Sequence, residues 1–115
     1  MRLADLQLSS RGRAVVARVT GEIDLSNARP LERALLEGTP NDTISLVLDL
    51  SELDYLDSAG IQMIYRIRES LRSRGQILRL VIPSTSPASA ALRLAGINRH
   101  IDADETVDDA LRDSA

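Results

Sequence analysis

The sequence of 115 residues predicts an α/β fold: a mixed, mainly parallel β-sheet carrying about four α-helices. Three observations predict it. Short β-branched or fully apolar runs alternate with segments whose apolar residues recur every three or four positions. The strongest strand runs, 14–20, 44–50 and 77–82, carry apolar residues on both faces, as strands covered by helices do. No linker, repeat or low-complexity stretch divides the chain, so the expectation is a single domain over residues 1–115.

The elements follow in order. Residues 3–8 (LADLQL) read as a weak edge strand, and residues 11–13 (RGR) as a turn into the next. In 14–20 (AVVARVT), Val15, Ala17 and Val19 share one face and Val16 takes the other. Ser26 is the expected N-cap of the first helix, with Pro30 in its first turn. Leu31, Ala34 and Leu35 form its apolar stripe, and Gly38 ends it. In 44–50 (ISLVLDL), Ile44, Leu46, Leu48 and Leu50 alternate, and Val47 makes the opposite face apolar too. A helix over 58–74 places Ile64, Ile67 and Leu71 on one stripe and Gln62, Arg66, Glu69 and Ser73 on the other. Gly75 stops it. Residues 77–82 (ILRLVI) form the next strand. Ser86-Pro87 opens a third helix with Ala88, Ala91, Leu92 and Ala95 inward and Gly96 at its C-cap. A short strand near 99–102 and a helix over 105–113, offering Val107, Ala110 and Leu111, complete the order β-β-α-β-α-β-α-(β)-α. The opening hairpin makes the sheet mixed.

Composition narrows the chemistry. There is no Cys, hence no disulfide framework, thiol nucleophile or thiolate metal site. A zinc centre built around the single His100 would lean on carboxylates. Aromatic residues are 2% of the chain (Tyr55 and Tyr65) and the net charge is −3, which disfavours nucleic acid, whose affinity comes from phosphate neutralisation and stacking. No apolar run approaches the roughly 20 residues that span a bilayer. The N-terminus lacks the apolar core of a signal peptide, so the expected setting is the cytoplasm, without membrane insertion. All 14 basic residues are Arg. Arg66, Arg68, Arg72, Arg74 and Arg79 cluster, as do Asp102, Asp104, Glu105, Asp108, Asp109 and Asp113, and both clusters read as solvated, mutually compensating surface.

The informative stretch runs from Leu48-Asp49-Leu50-Ser51 to Leu56-Asp57-Ser58-Ala59-Gly60-Ile61. A strand ends, a loop follows, and Asp57-Ser58 falls where a helix begins. Either residue is suited to cap that helix, and Gly60 permits close packing. A hydroxyl there is also a sensible phospho-acceptor, because added negative charge is tolerated at a helix N-terminus. Hydrolase chemistry is poorly supported. No Gly stands two positions before Ser58, His100 is the only available base, and nothing fixes the separation of Asp24 and Asp57 as an acid/base pair. The six glycines are dispersed, so there is no phosphate-cradling loop, and neither enzyme activity, metal nor cofactor is expected.

Three segments resemble the STAS domain family, and within it the small bacterial anti-sigma factor antagonists. Gly21-Glu22-Ile23-Asp24 with Ser26-Asn27-Ala28 is similar to the family's entry motif. Leu46 to Ser51 through Asp57-Ser58-Ala59-Gly60-Ile61 is similar to its core, and Leu80-Val81-Ile82-Pro83 with Leu94-Ala95-Gly96-Ile97 to its third-helix region. The resemblance implies a STAS-like fold and a phosphorylation switch. The unmodified protein would bind an anti-sigma factor with serine kinase activity and release the sigma factor. Phosphorylation of Ser58 would end that binding until a PPM-type serine phosphatase reverses it. Carried over by position, Asp24, Asp57, Ser58, Gly60, Ile61, Gln62 and Leu92 would form the partner-binding set, with Ile61 an exposed apolar contact. The assembly expected is a monomer or weak dimer. Ala59 departs from the commoner Asp-Ser-Ser-Gly and leaves one hydroxyl in the motif, while Gln62 puts a bulky polar side chain where many relatives have Gly. The alternative implied by the family is a constitutive interaction subunit of a transport or scaffold complex, with Ser58 only a helix N-cap.

Overall fold

The computed structural model describes residues 4–113. β1 (Asp5–Arg11) and β2 (Ala14–Ile23) form an antiparallel hairpin, turned at Gly12, whose φ of +63° suits glycine. There follow α1 (Ala28–Glu37), β3 (Ser45–Asp49), β4 (Leu53–Leu56), α2 (Ser58–Ser73), β5 (Ile77–Val81), α3 (Ser89–Leu94), a single 3₁₀ turn (Ile97–Arg99), β6 (Ala103–Asp104) and α4 (Val107–Asp113). The sheet order is β1-β2-β3-β5-β6, with β4 paired to β2. Every pairing but the first is parallel.

The crossovers step in one direction, from β2 to β3 to β5 to β6. Right-handed crossovers that keep stepping the same way leave their helices on one face of the sheet. The core agrees. Val15, Ala17 and Val19 of β2, Leu46 and Leu48 of β3, and Leu78 and Leu80 of β5 pack with Leu31 and Leu35 of α1, Ile64, Ile67 and Leu71 of α2, and Leu92 of α3. The other face offers Val16, Val47 and Val81, and α4 covers them with Val107, Ala110 and Leu111. That is why the strands are apolar on both faces.

Some expectations shift. The edge strand starts at Asp5 and runs to Arg11, with Leu3 outside the described residues. Asn27, not Ser26, occupies the cap position of α1, and its side chain is turned back onto the Glu22 carbonyl. Ser86-Pro87 makes a bend, and the helix begins only at Ser89. Of the four residues expected inward there, Ala88 and Leu92 are buried, whereas Ala91 and Ala95 are exposed. Two helical turns reach the core with one i,i+4 pair and no more. The strand expected near 99–102 lies at Ala103–Asp104, and a 3₁₀ turn precedes it. β4 was not expected at all. The arginine-rich surface is compensated through Arg66–Glu32, Arg72–Glu69 and the Arg79 pairs with Asp102 and Asp104, but Arg79 and Asp104 are mostly buried and not the solvated surface expected.

Candidate functional site

The site forms at the carboxyl ends of β2 and β4. These strands are parallel, with Glu22 opposite Tyr55 and Ile23 opposite Leu56, after a register shift between Gly21 and Glu22. Asp24 and Asp57 therefore leave the sheet side by side, and the Asp57 N–H donates to the Ile23 carbonyl at 3.2 Å. Gly21 adopts φ +94°, a conformation that side chains resist, and so permits the irregularity that brings β4 in.

Asp57 is the N-cap of α2. Its backbone is extended, and its Oδ1 accepts from the N–H groups of Ala59 at 2.9 Å and Gly60 at 3.2 Å. Ser58 is then the first helical residue, exposed, and no described residue hydrogen-bonds its hydroxyl. Between the two cap candidates, the role belongs to Asp57. Ser58 is not engaged in holding its own helix.

Asp24 organises the neighbouring loop. Its carboxylate accepts from the Ser26 hydroxyl and from the Ser26 N–H at 2.9 Å, while its own N–H donates to Asn27 Oδ1 at 2.9 Å. Asn27 completes the clasp by donating to the Glu22 carbonyl at 2.7 Å. The Ser26 hydroxyl, foremost, and then the Ser26 N–H hold the Asp24 carboxyl below its ordinary 3.8. The Asn27 N–H adds to this, and burial opposes it. Both aspartates are thus bound to backbone and hydroxyl donors, which is a loop-and-cap arrangement. Ser26 and Asn27 matter as structure: Ser26, expected as a helix cap, instead binds Asp24, and Asn27 ties the loop to Glu22.

The remaining candidates divide by burial. Gln62 is exposed, on the turn of α2 following Ser58. Ile61 is half-buried and packs against the main core, so it offers an edge and not the open contact expected of it. Gly60 is buried, and a Cβ there would stand 3.1 Å from Leu56 Cβ and 3.2 Å from Ile23 Cγ2, so its absence lets α2 seat on β2 and β4. Leu92 is fully buried and corrects the expectation of a contact residue, because its side chain belongs to the core. Two exposed residues at the site had gone unnoticed: Leu25, beside Asp24, and Tyr55, two residues before Asp57. An apolar residue between Asp24 and Ser26, and one of the only two aromatics set next to the core motif, were the available signals.

His100 packs edge-on against Tyr65, with ring centroids 5.9 Å apart. Tyr65 lies seven residues along α2 from Ser58, roughly 10 Å of helix axis at 1.5 Å per residue, so the imidazole is not placed to activate that hydroxyl. Among the described residues no group of three or more His, Asp or Glu side chains is placed to hold a metal ion. No helix among them is long and apolar enough to cross a membrane.

Comparison with known proteins places this geometry. A STAS domain profile matches residues 5–110. The anti-sigma-F factor antagonist RsfB of Mycobacterium tuberculosis is 31% identical over 97 residues, which make up 84% of this chain and 77% of that protein. The crystal structure of an anti-sigma factor antagonist from Mycobacterium paratuberculosis superposes with a TM-score of 0.80 at 26% identity, covering 97% of this chain and 94% of that one. The Bacillus cell fate determinant SpoIIAA, in its phosphorylated form, shares the fold, with a TM-score of 0.63 at 19% identity over 96% of this chain and all of the other. The chain belongs to the STAS domain family, and within it resembles the anti-sigma factor antagonists.

Proposed function

We propose that this chain is an anti-sigma factor antagonist switched by phosphorylation. In its unmodified form it binds an anti-sigma factor with serine kinase activity, and the sigma factor is released. The kinase transfers the γ-phosphoryl group of ATP to Ser58: an Oγ–P bond forms, the bond from the γ-phosphorus to the bridging oxygen breaks, ADP leaves, and the hydroxyl proton passes to a base on the kinase. A PPM-type serine phosphatase hydrolyses the phosphoserine and resets the switch. Catalysis resides in the partners.

The observation that carries this reading is the division of labour at the start of α2. Asp57 holds the cap, and this leaves the Ser58 hydroxyl exposed and without an internal partner. If Ser58 were the cap, its hydroxyl would be engaged with the free N–H groups of the first turn and less open to a kinase. As arranged, a phosphate adds roughly −1.5 to −2 charge beside Asp57 and Asp24 without disturbing the cap. The surface changes and the fold does not. Asp24, Asp57, Ser58, Gln62 and the edge of Ile61 make up the proposed contact set, and Gly60 contributes by setting how closely α2 approaches the sheet. Relatives that are themselves anti-sigma factor antagonists support the class of partner.

The test is incubation with the cognate kinase and ATP. One phosphate is expected on Ser58, with none incorporated by Ser58→Ala. A phosphate found on a different residue would sink the assignment. The alternative is a constitutive interaction subunit of a transport or scaffold complex; it predicts no phosphate on Ser58, and the cap role it gave that residue is filled by Asp57.

A further inference from the structure

The least expected feature of the site is apolar. Leu25 is 81% exposed and Tyr55 50% exposed, and both lie in the segments at the carboxyl ends of β2 and β4 that carry Asp24 and Asp57. Ile23 pairs with Leu56, and Leu25 and Ser58 are each the second residue beyond these paired ends, Leu25 in the β2–α1 loop and Ser58 at the start of α2. Tyr55 precedes them on β4, opposite Glu22. Leu25 follows directly on the clasp that Asp24 makes with Ser26 and Asn27, so its backbone is held while its side chain stands in solvent. The clasp holds the loop, but the Leu25 side chain itself buries almost nothing within the chain.

We propose that Leu25 and Tyr55 are the apolar anchors by which this chain docks onto its serine kinase partner, at the strand ends that carry the serine to be modified. The inference rests on the proposed function and extends it to an interaction surface. The occupant's chemistry follows from the charges around the anchors. Residues 21–29 and 51–62 carry five carboxylates (Glu22, Asp24, Glu52, Asp54 and Asp57) and one guanidinium, Arg29. Glu52 is paired with Arg18. The partner surface therefore presents an apolar pocket rimmed by arginine or lysine, complementary to an apolar centre with an acidic margin.

The same geometry accounts for the sign of the switch. Residues that anchor an interface sit in its water-excluded centre, and contacts of this kind carry most of the affinity. With Leu25 and Tyr55 anchored at the same strand ends, Ser58 would lie in that dry centre. A neutral hydroxyl is accommodated there at little cost. A phosphate dianion would have to shed its water against apolar neighbours, with the rim cations already matched to the existing carboxylates, and this opposes rebinding.

The experiment titrates wild type, Leu25→Ser, Tyr55→Ser and the remote surface variant Leu8→Ser against the kinase that phosphorylates Ser58, reading both the dissociation constant and phosphate incorporation. Circular dichroism and thermal midpoint confirm that each variant is folded. Leu25→Ser and Tyr55→Ser are each expected to weaken binding about tenfold or more, with Leu8→Ser within about twofold of wild type. Wild-type binding and phosphorylation, with both anchor variants within about twofold of it, would overturn this inference and leave the proposed function standing. A kinase that neither binds nor phosphorylates the wild type would overturn the proposed function, and this inference with it.

Discussion

At Asp57 the carboxylate receives two backbone N–H groups, so Asp57→Ala deletes a helix cap and is expected to cost about 1 kcal/mol of stability, measured by urea unfolding. Ser58→Ala removes an exposed hydroxyl with no described partner and should change stability by less than about 0.5 kcal/mol. The pair of variants separates structure from switching: if Ser58→Ala proved the more destabilising, the assignment of the cap would be wrong. Asp24 offers a pH test. Its folded-state carboxyl is depressed, so the stability it contributes is fully present above its unfolded value near 3.8 and is lost as pH falls through the lower folded value. An NMR titration of the Ser26 amide should show its midpoint below 3.8, and Asp24→Asn should remove that transition. Neither role was fully readable in the sequence. Asp57 and Ser58 are equally good caps by residue type, and only the extended backbone at Asp57 decides between them. The exposure of Leu25 depends on how distant elements meet, which a local pattern does not encode, whereas the burial of Leu92 follows the helical pattern and overrides the contact role implied by the resemblance.

Long elements with a strong period were legible, and short ones were not. β2, β3, β5 and α2 carry enough apolar residues at the right spacing to declare both their type and their buried face. β4 escaped because its four residues bury only the first and last, Leu53 and Leu56, which matches neither strict alternation nor a helical stripe. Its pairing depends on the irregularity near Gly21 in a strand some thirty residues earlier. α3 has too few turns to show a stripe, so the alanines of its segment could be placed inward or outward equally well. The seating of α2 gives an element-scale prediction. Gly60→Ala gains up to about 1 kcal/mol in helix propensity. It also forces a Cβ against Leu56 and Ile23, two buried strand side chains with little room to yield, and overpacking of this kind costs about 1–3 kcal/mol. A net loss near 1 kcal/mol is expected, and a stabilised variant would show that α2 can lift from the strands. At the far edge, Arg79 pairs with Asp104 at 3.1 Å, and both side chains are mostly buried. Arg79→Ala should cost about 3 kcal/mol, because it removes the guanidinium paired with the mostly buried Asp104 carboxylate, and thermal unfolding would register it.

Across the whole molecule the two faces of the sheet divide their work. One packs three helices into a continuous core and the other is covered by α4, while the carboxyl ends of β2 and β4 hold the proposed switch residue Ser58, two hydrogen-bonded aspartates and two exposed apolar side chains. The net charge is only −3, so a phosphate at Ser58 is a large local change on an otherwise stable scaffold. The measurement that tests this most directly is binding of the cognate anti-sigma kinase before and after stoichiometric phosphorylation, with the site located by mass spectrometry and the fold followed by amide NMR. The account predicts one phosphate on Ser58, amide shifts confined to the β2–α1 loop and the start of α2, and loss of binding. Undiminished binding by the Ser58-phosphorylated protein would contradict it.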